Sequence, residues 1–182
     1  MRFFSAKTMA RYNLADLHTH SFCSDGLRTP AQAVEEACKA GLQALGLTDH
    51  DTVDGIDEAL DAGEKRGLEI VPGTELSAHV KDREVHILAY CLEWKASTLS
   101  TYLELLVRQR YDRGIAIVER LNNLGIELTL EDVIGETSGS SLGRPHIAAA
   151  MVNRGLVANK DEGLRGQFVP LIKKALRILV II

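Results

Sequence analysis

The chain has 182 residues, 46% hydrophobic and 25% charged, enough for one domain with its own core and ordinary for a globular protein. A net charge of −4 argues against a stable complex with duplex nucleic acid held by phosphate contacts, but leaves room for a nucleotide bound through metal ions. No stretch reaches the ~20 apolar residues of a membrane span, and the first twelve residues lack a signal-peptide core, so the expected location is cytoplasmic. The three cysteines, Cys23, Cys38 and Cys91, are far apart and form no CxxC, which reads as reduced thiols.

Tyr12 to Leu17 is expected as a first strand, running into His18-Thr19-His20. After a turn at Gly26 to Pro30, Thr29 is a natural N-cap and Pro30 a natural first helical residue, with the helix running to Ala40 and stopped by Gly41. Leu42 to Thr48 then reads as a short apolar strand with Asp49-His50-Asp51 at its end, followed by a helix from about Val53 to Arg66 and Gly67. Leu68 to Pro72 is the third expected strand, with Gly73-Thr74-Glu75 at its end, and Glu84 to Leu92 the fourth, carrying His86. Strands alternating with helices predict an α/β fold with a largely parallel sheet, and ligands in such folds bind where strands end. Beyond Trp94, Leu99, Leu103, Leu106, Tyr111, Ile115, Val118 and Leu121 mark a long helix over Thr98 to Leu124. Short helices follow at Leu130 to Ile134 and from Arg144-Pro145-His146 to Val152. Residues 13–95 are thus read as an α/β unit, 96–162 as a helical insertion and 163–182 as an atypical tail ending in an apolar run. That tail is expected to be a last strand, an amphipathic helix, or the edge of a truncated chain.

His18 and His20 lie at i and i+2, so on a strand both imidazoles leave the same face. With Asp25, His50, Glu75 and His86 they make six nitrogen and carboxylate donors, a set suited to Zn, Mn or Fe and unlike an all-oxygen Ca cage. Six donors exceed one tetrahedral ion, which predicts two or three divalent ions and metal-assisted hydrolysis by an activated water. Asp16, Asp49 and Asp51 are expected either to orient imidazoles or to serve as strand-end turn residues. His79 reads as a surface residue, and Arg110 and Arg113 as the wet face of the long helix. Arg144 and His146 open a helix, where free N–H groups and the dipole favour an anion.

Four segments, Asp-Leu-His-Thr-His-Ser with Ser-Asp-Gly (16–26), Thr-Asp-His-Asp-Thr (48–52), Pro-Gly-Thr-Glu-Leu-Ser (72–77) and Val-His-Ile-Leu-Ala-Tyr (85–90), resemble the successive motifs of the PHP (polymerase and histidinol phosphatase) family. The Arg-rich helix and Gly-Arg-Pro-His-Ile-Ala (143–148) are similar to its nucleotide-phosphatase branch. The resemblance implies a distorted (β/α)7 barrel, incomplete here, with a helical insertion overhanging the metals. It implies that His18, His20, Asp25, His50, Glu75 and His86 hold the ions, with Glu75 bridging, and that Arg144 and His146 contact a small phosphorylated substrate. The implied substrates are nucleotides, such as 3′,5′-nucleotide bisphosphates, or the 5′ ends of short RNA. Alternatives are a histidinol-phosphate-type phosphatase or a metal-binding remnant without turnover. No histidine follows His146, and the family's C-terminal Asp-x-His is missing, which is the basis for expecting a truncated chain.

Overall fold

The computed structural model describes residues 14–81, 83–137 and 142–159. Expectations placed on Tyr12 and on the 163–182 tail fall outside the described residues. Chain order is β1 (Ala15–Thr19), α1 (Pro30–Ala40), β2 (Ala44–Leu47), α2 (Ile56–Arg66), β3 (Glu69–Val80), β4 (Arg83–Tyr90), α3 (Ser97–Asn123), α4 (Leu130–Ile134) and α5 (Arg144–Asn153). The fold is mixed α/β, with the described strands ordered β1-β2-β3-β4 in one sheet.

Local chemistry sets the first two helices. Thr29 Oγ1 accepts from Gln32 N at 3.2 Å and Gln32 Oε1 accepts from Thr29 N at 3.0 Å, a complete capping box ahead of Pro30. Gly41 and Gly67 end α1 and α2 in the left-handed region, at φ 77° and 69°. The two helices bury Val34, Ala37, Ala59 and Ala62 against Leu45, Leu47 and Leu68, a core that holds one face of the sheet.

β1 and β2 pair in parallel, as do β2 and β3. The β1–β2 register slips between Asp16 and Thr19, where the Leu17 backbone presses onto Gly46; a Cβ there would sit 2.8 Å from the Leu17 carbonyl oxygen. β3 does not end at Pro72. It runs on to Val80, pairing in parallel with β2 through Pro72 and antiparallel with β4 from Gly73 onward. Pro72-Gly73, ordinarily a breaker, is here the point where the strand changes partner. Glu75 and His86 therefore stand within a hairpin, not at strand ends. The sheet curls far enough for the Tyr90 hydroxyl of β4 to donate to the Leu17 carbonyl of β1 at 2.8 Å.

A second core joins Ile117, Val118 and Leu121 of α3 to Ile126, Leu128, Val133 of α4, and Ile147, Ala150 and Met151 of α5. Among the described residues, no helix is long and apolar enough to cross a membrane.

Candidate metal centre

Three backbone segments and a hairpin strand deliver the six predicted donors to one place. His18, on β1, brings Nε2 to 3.1 Å from His20 Nε2 and 2.8 Å from Glu75 Oε2, while His20 Nε2 lies 2.9 Å from the same oxygen. His86 Nδ1, across the hairpin, is 2.6 Å from Glu75 Oε1. His50 Nδ1 faces Glu75 Oε2 at 3.6 Å and His50 Nε2 faces Asp25 Oδ2 at 3.7 Å. These donors fall into three overlapping groups, His18–His20–Glu75, His20–Asp25–His50 and His50–Glu75–His86, each with its ligand atoms within 4.8 Å of one another.

The arrangement fits divalent ions on two counts. Nitrogen and carboxylate donors bound at roughly 2.0–2.2 Å around a shared ion stand about 3–3.5 Å apart, close to the separations seen here. Buried His50 Nδ1 has no hydrogen-bond partner, and 3.6 Å to Glu75 is too long for one, so a buried polar atom points at acceptors across a gap.

Electrostatics favours the ligating form at Asp25, Glu75 and His50 and opposes it at His20. Burial would raise the Asp25 carboxyl, but the His20 hydrogen bond and the fields of His50 and His146 bring it down to about 2. Burial, and then the Arg110 guanidinium, push His50 down to about 4, against the pull of Asp25 and Glu75. Glu75 is likewise lowered: burial opposes, but hydrogen bonds from His18 and His86 and the field of His50 prevail. Burial also opposes protonation of His20, which Asp25, Glu75 and Asp49 nonetheless raise. Near neutrality Asp25 and Glu75 are carboxylates and His50 is a neutral base, the states a metal requires.

Of the two roles expected of the surrounding acids, orienting imidazoles or shaping the turns at strand ends, their contacts match the second. Asp16 Oδ1 accepts from the His18 backbone N–H at 3.1 Å, a local turn contact. Asp49 accepts from Ser21 N at 2.7 Å, Ser21 Oγ at 2.6 Å and Ser24 Oγ at 2.6 Å, tying down the loop that carries His20 and Asp25. Asp51 accepts from Ser77 N and Oγ, both at 2.7 Å, on the strand that carries Glu75. The orienting contact to an imidazole is made by Asp25, whose Oδ1 accepts from His20 Nδ1 at 2.8 Å. His79 is exposed, as expected.

Arg110 reverses its expectation. It is 5% exposed, donating through Nε to Asp51 and through Nη2 to Ser77 Oγ at 2.8 Å. Spacing hinted at this, because Arg110 falls on the same stripe as Leu103, Leu106, Gly114 and Ile117, all buried. His146 is buried at the start of α5, its Nδ1 accepting from Gly143 N at 3.0 Å, and its charge acts on Asp25. Arg144 is exposed in the first turn of the same helix.

The sequence profile of the PHP domain matches residues 16–159. The chain belongs to the PHP domain family. It is 31% identical over 150 residues to a 5′-3′ exoribonuclease of Haemophilus influenzae, covering 82% of this chain and 54% of that protein. It is 33% identical over 143 residues to a phosphoribosyl 1,2-cyclic phosphate 1,2-diphosphodiesterase of Eggerthella lenta, covering 77% of this chain and 55% of the relative. To a 3′,5′-nucleoside bisphosphate phosphatase of Chromobacterium violaceum it is 28% identical over 163 residues, with 85% and 55% covered. The crystal structure of a "putative metal-dependent phosphoesterase" from Bifidobacterium adolescentis superposes with a TM-score of 0.76 at 34% identity, over 87% of this chain and 55% of that one. The PHP chain described here spans about half the length of the relatives it matches.

Proposed function

We propose that this PHP chain contributes to a metal-dependent phosphoesterase, holding two or three divalent ions (Mn, Zn or Fe) through His18, His20, Asp25, His50, Glu75 and His86. The observation that carries this is the unpartnered Nδ1 of buried His50, set among acids and imidazoles that fall into three overlapping donor groups. Ions bound there would polarise a phosphoryl oxygen and acidify a water. The chain's own groups do the rest. Glu75 reaches His18, His20 and His86 with its two oxygens and would be the carboxylate shared between ions. Asp25 holds the His20 ring through Nδ1, so that Nε2 would be the atom to hold an ion. Arg144, exposed at the N-terminal end of α5, would bind substrate phosphate, with His146 fixing that turn.

The relatives act on a cyclic phosphate, a nucleoside bisphosphate and RNA, and the shared chemistry is hydrolysis of a phosphate ester in a nucleotide-like substrate. A small nucleotide phosphate is the proposed substrate, and residues 13–95 with the 96–162 insertion are proposed as part of a PHP barrel. The test is release of inorganic phosphate from 3′,5′-nucleotide bisphosphates with Mn or Zn. Hydrolysis that ceases with chelator and falls at least ~100-fold in His20→Ala supports the reading. Activity that survives chelation ends it, and metal binding without hydrolysis of any nucleotide leaves a binding module only.

A further inference from the structure

His50 sits between two acids that do opposite halves of one task. Asp49, on one side, gives its carboxylate to Ser21 and Ser24 of the loop after β1, while its carbonyl accepts from Glu75 N and Thr74 Oγ1 of β3. On the other side Asp51, fully buried and in the left-handed region at φ 53°, is held from three directions. Its backbone N–H donates to Glu75 O at 3.0 Å, its carboxylate takes both donors of Ser77, and the Arg110 guanidinium closes the cluster from α3. Ser77 lies two residues beyond Glu75 on the same face of β3 and opposite His86 in register. A left-handed aspartate is conformationally costly and persists only where its surroundings over-determine it. Arg110 is the one member of that cluster supplied by the helical region, and it occupies a position on the buried stripe of α3 where a leucine would pack without partners.

We propose that Arg110 is a positioning residue that makes the seating of α3 control the aim of His50 and Glu75, and through them the His50–Glu75–His86 metal position. The group least directly tied to Arg110 is His18, which stands on β1 and makes its side-chain contacts with Glu75 and His20. Docking of the insertion and filling of one ion position are therefore a single event. This rests on the metal-site reading above, and its test carries a readout that does not need metal.

The experiment compares the wild-type chain with Arg110→Lys, Arg110→Met and the double variant Asp51→Asn/Arg110→Met, which removes both buried charges while keeping a residue that tolerates positive φ. Each is followed by imidazole NMR of the metal-free protein and by titration with Mn or Zn, counting ions per chain. The expected result is that His50 and His86 resonances move in Arg110→Met and in the folded double variant, whereas His18 moves little. The last ion to bind is weakened at least tenfold in both, with partial recovery in Arg110→Lys. If wild type takes up no metal, the metal reading falls, and the NMR pattern alone decides the positioning role. Should the double variant fold and return the wild-type His50 signals and ion count, Arg110 is a structural ion pair and the proposal is overturned.

Discussion

Asp49 shows how a residue that touches no imidazole can govern one. Its carboxylate is 2% exposed and accepts three hydrogen bonds from Ser21 and Ser24, themselves 0% and 1% exposed. Asp49→Ala would leave those donors buried without an acceptor, at about 3 kcal/mol. Because the same loop carries His20 and Asp25, metal affinity should fall by roughly 10–100-fold as well. Urea denaturation and calorimetric metal titration read the two effects separately; full affinity in a destabilised protein would show that the loop is not held by Asp49. Gly26 is the second case. A Cβ there would lie 2.3 Å from the His20 carbonyl oxygen and 2.8 Å from the Ser21 carbonyl carbon, both backbone atoms that cannot rotate away. Gly26→Ala should cost about 2 kcal/mol and pull Asp25 off His20, so that thermal stability and ion count drop together. An alanine variant with unchanged melting and unchanged ion count would contradict this.

At the level of elements, caps were legible and partner changes were not. Thr29, Pro30 and Gly41 bound α1 where their chemistry says they should, since an N-cap and a left-handed C-cap are local events. Thr29→Ala should therefore lower stability by ~1 kcal/mol and leave metal stoichiometry alone, because α1 buries its apolar face in a core that contains none of the six donors. Loss of ions in that variant would mean that α1 reaches the site. Pro72-Gly73 misled for the opposite reason. A breaker in sequence is compatible with a strand that leaves a parallel partner and takes up an antiparallel one at that point, and nothing within the segment records the second partner. The α3 stripe misled similarly: helical spacing put Leu103, Leu106, Val118 and Leu121 inside, where they are buried, but also Tyr111, which is exposed, while Arg110 beside it is buried by its Asp51 and Ser77 partners.

For the whole molecule, the two apolar clusters lie apart, one beneath the sheet and one within the α3–α5 region, and the donor cluster lies with neither. Ions that bind only the folded state should raise stability by about 2.7 kcal/mol for each site at one hundred times its Kd. Melting followed with and without Mn or Zn, and after chelator, checks this: the transition should move up with metal and return on chelation. A transition indifferent to metal would leave the six donors as a polar cluster without ions.

What the chain order of residues determined was the helix ends, the family likeness and the six side chains that folding gathers, because side-chain type, capping and motif spacing are written within short segments. The tertiary structure decided which acids orient rings and which pin backbone, and that Arg110 belongs indoors. Those outcomes depend on contacts spanning dozens of residues, such as Arg110 with Asp51, where a side chain's role is set by the partner that folding brings to it.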